Sequence, residues 1–211
     1  MKQFFIYFGF FLSVVLTSCS SVTKIACVGD SITEGAGLVW QSKTSYPVIL
    51  DSILGPKYSV LNLGRSATTL QRKGDFPYWT AKEFYDVFAL RPNIIIIKLG
   101  TNDTKPENWN AKRFAADYQA LVDTFKTIQS HPRIYVCLPV PVCQTKWGIN
   151  DSTLTAGVIP AVELLAKTNG FKTIDLYHGM QNECTNFPDG VHPSEKGAKI
   201  MAGIIAHEIQ K

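Results

Sequence analysis

The chain has 211 residues, of which 45% are apolar and 18% are charged, and its formal net charge is +4. This length and composition fit one globular domain that can bury a sizeable core. Because the charge is modest and the chain has no basic run and no nucleic-acid-binding motif, we do not expect nucleic acid as a partner.

The N-terminus predicts an export signal, because a charged start precedes an apolar run too short for a stable membrane span. The segment Leu16-Thr17-Ser18-Cys19 resembles the bacterial lipoprotein processing box, in which lipid is attached to the cysteine sulfur. A secretory signal that happens to contain a cysteine is the alternative. We expect a signal peptide over 1–18, a tether over 19–23 with lipid on Cys19, and an exported domain over 24–211, anchored to a membrane of the bacterial cell envelope.

The first predicted strand, Ile25–Val28, runs directly into Gly29-Asp30-Ser31. In open α/β sheets, ligands bind at the carboxyl ends of the strands. This position makes Ser31 a candidate nucleophile. The alternative is an ordinary turn, in which the Asp and Ser side chains cap neighbouring backbone groups.

The rest of the chain alternates between short apolar runs and amphipathic segments, which predicts a parallel sheet with helices on both faces. Further strands are predicted over 58–63, 94–97, 133–138 and 170–176. Helices are predicted over 45–55, 78–90, 110–130, 153–168 with an interruption near Pro160, and 195–211. The predicted fold is one three-layer α/β/α domain with a five-stranded parallel sheet.

Two further strand ends carry small polar residues. Gly64 directly follows the second predicted strand, and a glycine there lets the backbone approach a ligand closely and present its N–H. Asn102 follows the third strand, and its side-chain amide is suited to donate a hydrogen bond to an oxyanion. A plain turn at Gly64 and a helix cap at Asn102 are the alternatives.

The last loop places Asp189 three residues before His192, across a glycine-containing turn that lets the carboxylate reach the imidazole. A serine hydroxyl needs a base to take its proton, and the base needs a carboxylate to fix its tautomer. Ser31, Asp189 and His192 fit these roles in chain order. A structural histidine before the terminal helix is the alternative for His192.

Four segments together resemble the signature blocks of the SGNH, or GDSL, hydrolase family, in the family order. They are Gly29-Asp30-Ser31-Ile32-Thr33, Asn62-Leu63-Gly64, Gly100-Thr101-Asn102-Asp103 and Asp189-Gly190-Val191-His192. The second block departs from the commonest pattern, since Ala67 stands where a glycine is frequent.

The resemblance implies a flavodoxin-like fold and a catalytic triad of Ser31, His192 and Asp189. It also implies an oxyanion hole formed by the backbone N–H groups of Ser31 and Gly64 and the amide of Asn102. The mechanism it implies uses an acyl-enzyme and needs no cofactor and no metal.

The segments 68–79 and 98–109 are similar to a subgroup of secreted GDSL esterases that includes sialate O-acetylesterases and acetylxylan esterases. This resemblance implies a small-molecule or oligosaccharide ester as substrate. Trp109 and Trp147 are predicted in loops at the catalytic edge, where they could stack on sugar rings, and Arg65 could meet a sugar carboxylate. Hydrophobic plugs and solvated charges are the respective alternatives.

Two other functions remain open at this point. A lysophospholipase or thioesterase would use the same catalytic residues but needs a long apolar groove, and a non-catalytic glycan-binding lipoprotein would keep only the fold.

In an oxidising compartment, Cys143 and Cys184 are candidates for a disulfide because both lie in predicted loops.

Overall fold

The computed structural model describes residues 21–211, so the predicted signal peptide and Cys19 lie outside the described residues. Within this part of the chain, five parallel strands form one sheet in the order β2-β1-β3-β4-β5. The strands are β1 (Thr23–Gly29), β2 (Tyr58–Gly64), β3 (Ile94–Lys98), β4 (Arg133–Leu138) and β5 (Lys172–Asp175). This is the flavodoxin-like strand order, so the predicted fold class is confirmed.

Helices lie between the strands, and two more follow the last strand. They are α1 (Ser31–Glu34), α2 (Gln41–Thr44), α3 (Tyr46–Leu54), α4 (Lys82–Leu90), α5 (Ala111–Lys126), α6 (Asp151–Thr153), α7 (Ile159–Asn169), α8 (Leu176–Met180) and α9 (Glu195–Gln210). Short 3-10 helices cover Tyr78–Thr80, Asn102–Thr104 and Cys184–Asn186, and a π-helix covers Leu154–Val158. No helix within 21–211 is long and apolar enough to cross a membrane.

The sheet separates two apolar cores, because successive residues of a strand face opposite sides. Along β1, Ile25 and Cys27 pack in the core that also contains residues of α3 and α9. Ala26 and Val28 pack in the other core, with residues of α4, α5 and α7. The three-layer architecture is therefore confirmed.

The register aligns the strand ends that form the candidate site. Gly29 pairs with Gly64 of β2 on one side and with Lys98 of β3 on the other. After β1 the chain adds β2 on one side of it and then β3 on the other side. In such sheets, ligands bind at the carboxyl ends of the strands where the order changes side in this way, here between β1 and β3. The turns after these strands therefore start at the same edge.

Several predicted helices have different bounds in the structure. The helix predicted over 78–90 is a 3-10 turn followed by α4, and the helix predicted over 110–130 ends at Lys126. The predicted interruption near Pro160 is a π-helix that lies just before α7. Proline has no N–H to donate to the preceding turn, which explains why the regular bonding pattern changes there.

Candidate active site

Ser31 is the first residue of α1, immediately after β1. The Asp30 side chain caps this helix by accepting a hydrogen bond from the Ile32 N–H at 3.0 Å. Gly29 precedes them, and a Cβ at this position would lie 2.8 Å from the Lys98 carbonyl oxygen. Only glycine therefore fits in this tight strand-to-helix turn.

Asp189 and His192 are held together by a compact turn before α9. The Asp189 Oδ1 atom accepts hydrogen bonds from the backbone N–H groups of Val191, at 2.9 Å, and His192, at 2.7 Å. Gly190 has φ +84°, and a Cβ there would lie 2.4 Å from the Cβ of Gln144. The turn thus depends on glycine at position 190.

The structure brings the three predicted residues into one hydrogen-bonded chain. His192 Nε2 lies 2.9 Å from Ser31 Oγ, and His192 Nδ1 lies 2.8 Å from Asp189 Oδ2. A proton on Nδ1, donated to Asp189, leaves Nε2 able to accept the Ser31 O–H. Chemically, this arrangement can take the proton of a serine hydroxyl as the oxygen attacks an electrophile.

The pKa of Asp189 is lowered below its ordinary value. Partial burial would raise this pKa, but the hydrogen bonds from the backbone and ring of His192, and from the Val191 N–H, outweigh it. Asp189 is therefore an anion at neutral pH and can orient the imidazole.

An open cleft lies beside Ser31 and has a volume of about 250 Å³. We call it the Ser31 cleft; among its lining residues are Ser31, Ala67, Asn102, Lys105, Trp147 and His192. Asn102 Nδ2 donates to the Thr68 carbonyl at 3.0 Å, which uses one of the two protons of its amide. No acceptor in the described part of the chain takes the second proton, which is therefore left to donate to a ligand in the cleft.

Gly64 does not fit the role predicted for it. Its N–H donates to Asn62 Oδ1 at 3.0 Å, and Gly64 does not line the Ser31 cleft. Ala67, three residues later, does line the cleft, and no acceptor within residues 21–211 takes a hydrogen bond from its N–H. Ala67 has φ +65°, a left-handed conformation that favours glycine.

Sequence reasoning missed a buried ion pair under the site. Lys98 Nζ lies 3.0 Å from both carboxylate oxygens of Asp30 and donates to Thr101 Oγ1 at 2.8 Å. Both charged side chains are completely buried. Because Asp30 precedes Ser31 and Thr101 precedes Asn102, this one cation connects the two turns that carry the candidate nucleophile and the amide donor.

Burial lowers the pKa of Lys98, and the charge and hydrogen bonds of Asp30 oppose this shift. The sequence does contain a signal for this pair. Lys98 is the charged end of a strand that otherwise consists of four isoleucines, and the strand is buried throughout.

Asp103 forms a second connection that the sequence analysis did not find. Its two carboxylate oxygens accept the backbone N–H groups of Leu70 and Gln71, each at 2.8 Å. Complete burial raises the pKa of Asp103 to about 6, although these hydrogen bonds act in the opposite direction. Asp103 thereby fixes the segment after Ala67 to the turn that carries Asn102.

The three predicted substrate-binding residues lie in different places. Trp147 lines the Ser31 cleft, is 56% exposed, and its ring centroid lies 5.6 Å from that of His192. Trp109 does not line this cleft: its ring packs on Phe114, with centroids 5.4 Å apart, and against Gly157. The structure therefore favours the alternative of a hydrophobic plug for Trp109.

Arg65 is exposed and lines a separate cavity next to the Ser31 cleft. Its backbone N–H donates to the Gly29 carbonyl at 2.9 Å, which continues the pairing of β2 with β1. The Arg65 side chain thus lies beside the Ser31 cleft and not within it.

A disulfide joins Cys143 to Cys184, the two cysteines that the sequence offered as candidates, with Cα atoms 5.5 Å apart. Next to it, the Cys143 N–H donates to the Gly190 carbonyl at 2.9 Å. The loop that carries Trp147 is therefore attached to the turn that carries Asp189 and His192.

The chain is similar to several known proteins. The model of the GDSL-like Lipase/Acylhydrolase family matches residues 27–200. An acetylxylan esterase of Xylanibacter ruminicola is 39% identical over 206 residues, which cover 89% of this chain and 43% of that protein. The chain thus spans less than half of the length of this curated relative.

Two solved structures share the fold at low sequence identity. The aryl esterase of M. smegmatis is 19% identical with a TM-score of 0.73, covering 90% of this chain and 99% of that one. Est24, a carbohydrate acetylesterase from Sinorhizobium meliloti, is 20% identical with a TM-score of 0.71, covering 89% and 98%.

Proposed function

Because the chain belongs to the GDSL-like lipase/acylhydrolase family, we propose that it is a carboxylic ester hydrolase that removes O-acetyl groups from carbohydrates. The observation that carries the proposal is the hydrogen-bonded chain from Ser31 Oγ through His192 to Asp189. Ser31 is the nucleophile, His192 is the general base and acid, and Asp189 orients the imidazole.

In the first half of the reaction, Ser31 Oγ attacks the acetyl carbonyl carbon as its proton passes to His192 Nε2. When the tetrahedral intermediate collapses, the bond to the sugar oxygen breaks and that oxygen takes the proton from His192. Water then attacks the acetyl group on Ser31 and gives a proton to the same nitrogen. Release of acetate returns this proton to Ser31 Oγ.

The negative oxygen of each tetrahedral intermediate needs hydrogen-bond donors that are already in place. We assign this role to the Ser31 N–H, the Asn102 amide and the Ala67 N–H, with Ala67 taking the place predicted for Gly64. The proposal is supported by the position of all three residues on the Ser31 cleft and by the Ala67 N–H, which donates no hydrogen bond to any acceptor among residues 21–211.

A sugar acetate is supported as the substrate by two observations. The 39% identical relative is an acetylxylan esterase, and the exposed ring of Trp147 beside His192 offers a flat apolar surface on which the sugar ring that carries the ester can lie. The small volume of the Ser31 cleft favours an acetyl group over a long acyl chain.

The test is acetate release by the purified domain from acetylated xylan and from O-acetyl sialic acid, with Ser31→Ala as the control. We expect release from at least one substrate and none from the variant. Serine-dependent cleavage of only long-chain acyl esters would support the lysophospholipase or thioesterase alternative, and absence of any ester cleavage would support a glycan-binding protein.

We also propose that the protein is exported and anchored by lipid on Cys19. The Cys143–Cys184 disulfide supports an oxidising compartment. Full-length protein expressed in a bacterium should take up a labelled fatty acid and sediment with membranes, and Cys19→Ser should abolish both. Membrane association that persists unchanged in the variant would contradict the anchor.

A further inference from the structure

A second cavity lies directly beside the Ser31 cleft and has a volume of about 360 Å³. We call it the Phe76 cavity; it is lined by Arg65, Asp75, Phe76, Thr80 and others, and it shares Ser66 and Ala67 with the Ser31 cleft. Their walls are also joined by an ion pair, since Lys105 of the cleft lies 2.8 Å from Asp75 of the cavity. The two spaces are therefore neighbouring parts of one surface at the catalytic edge.

Phe76 is an exposed aromatic side chain on a well-fixed backbone. Phe76 is 60% exposed. Its backbone is nevertheless held by two hydrogen bonds, since its carbonyl accepts the Thr69 N–H at 2.8 Å and its N–H donates to Asp75 Oδ1 at 3.0 Å. The buried Asn108 in turn donates to Asp75 Oδ1 at 2.9 Å. Because the backbone is held in this way, the position of the ring at the cavity is fixed and contact with a ligand costs little backbone entropy.

The polar groups around Phe76 suit a ligand with hydroxyl groups. Arg65 forms no ion pair with any residue of 21–211, so its guanidinium is available to donate hydrogen bonds. The Asp75 carboxylate and the Thr80 hydroxyl lie on the same cavity. An aromatic face combined with a few hydrogen-bonding groups matches a sugar ring. An acyl chain suits the cavity less well, because it would displace water from the charged groups of the wall without forming hydrogen bonds to them.

We propose that the Phe76 cavity binds a neighbouring sugar ring of an acetylated oligosaccharide while the ring that carries the acetyl group lies in the Ser31 cleft. This proposal rests on the proposed function and narrows it. The substrate is an acetylated oligosaccharide or polysaccharide chain, because a single acetylated sugar does not fill both spaces.

The test compares kcat/KM on acetylated xylotriose with kcat/KM on 4-nitrophenyl acetate, which has no second ring to occupy the Phe76 cavity. We expect Phe76→Ala to lower the ratio of the two values about tenfold, the factor expected for loss of one aromatic contact. Phe76→Trp should keep the ratio, because it retains a flat ring. Tyr85→Ala is the matched control, since Tyr85 is 61% exposed on α4 and lines neither space.

An unchanged ratio in Phe76→Ala, or an equal fall in Tyr85→Ala, would overturn the subsite. Phe76→Ala could instead change the preference among 4-nitrophenyl acetate, butyrate and octanoate and leave the oligosaccharide ratio unchanged. That result would assign the cavity to the acyl chain and would also overturn the sugar subsite. If the wild type cleaves 4-nitrophenyl acetate but releases no acetate from any sugar, the proposed function fails and the subsite fails with it.

Discussion

Replacing Lys98 with methionine removes the buried cation under the site while nearly preserving the size of the side chain. In the wild type, Lys98 Nζ contacts both oxygens of Asp30 at 3.0 Å, and neither side chain has contact with solvent. Removal of one partner of a buried pair leaves the other charge without compensation. We therefore expect Lys98→Met to lower the free energy of unfolding by about 3–5 kcal/mol.

The same variant should also lower kcat more than it raises KM. Lys98 connects the turn of Ser31 to the turn of Asn102 through Asp30 and Thr101, and misplaced catalytic groups reduce kcat by about a hundredfold. Urea unfolding and steady-state kinetics on 4-nitrophenyl acetate measure the two effects.

The double variant Asp30→Asn/Lys98→Met is the control for the electrostatic explanation. It removes both charges and keeps an oxygen that can accept the Ile32 N–H. We expect it to be more stable than Lys98→Met by about 1–3 kcal/mol. If Lys98→Met costs less than about 1 kcal/mol, or if the double variant is no more stable, the reasoning about the buried pair is refuted.

Three further predictions concern residues around the same site. Asn102→Ala should lower kcat on 4-nitrophenyl acetate about a hundredfold or more, because it removes a donor to the oxyanion; an unchanged kcat would contradict this role. Asp103 has a folded-state pKa of about 6, above its ordinary value of 3.8, so its protonation favours folding at low pH and this contribution is lost as pH rises through 6. Asp103→Asn should therefore destabilise the protein by about 1 kcal/mol more at pH 5 than at pH 8 in urea unfolding, and equal losses would contradict the shift. The Cys143→Ser/Cys184→Ser variant removes a disulfide with a sequence separation of 41 and should lose about 2–4 kcal/mol in the same assay, whereas unchanged stability would show that the disulfide contributes nothing.

The fold and three site residues could be predicted because their signals are local. A buried strand that ends in Gly29-Asp30-Ser31 fixes where the hydroxyl lies, and the spacing of Asp189 and His192 lets one turn bring them together. The alternation of apolar runs and helices then determines the sheet. Parallel connections place the ends of β1 and β3 at the same edge.

The residues that were misplaced or missed depend on contacts that the local sequence pattern does not specify. Trp109 follows a strand end at the catalytic edge, but the space beside Gly157 and Phe114 determines where its ring packs. The Gly64 N–H is engaged by Asn62, and this bond depends on a side-chain rotamer that the sequence pattern does not specify. The pairing of Lys98 with Asp30 spans 68 residues and follows only from the strand register.

The central claim is that Ser31 is a nucleophile activated by His192. The most direct measurement is labelling of the purified domain with a fluorophosphonate, which reacts with activated serines, followed by mass-spectrometric mapping of the adduct. We predict one adduct, on Ser31, and a strongly reduced rate of labelling in His192→Ala. Labelling of a different serine, or an unchanged rate in His192→Ala, would contradict the account.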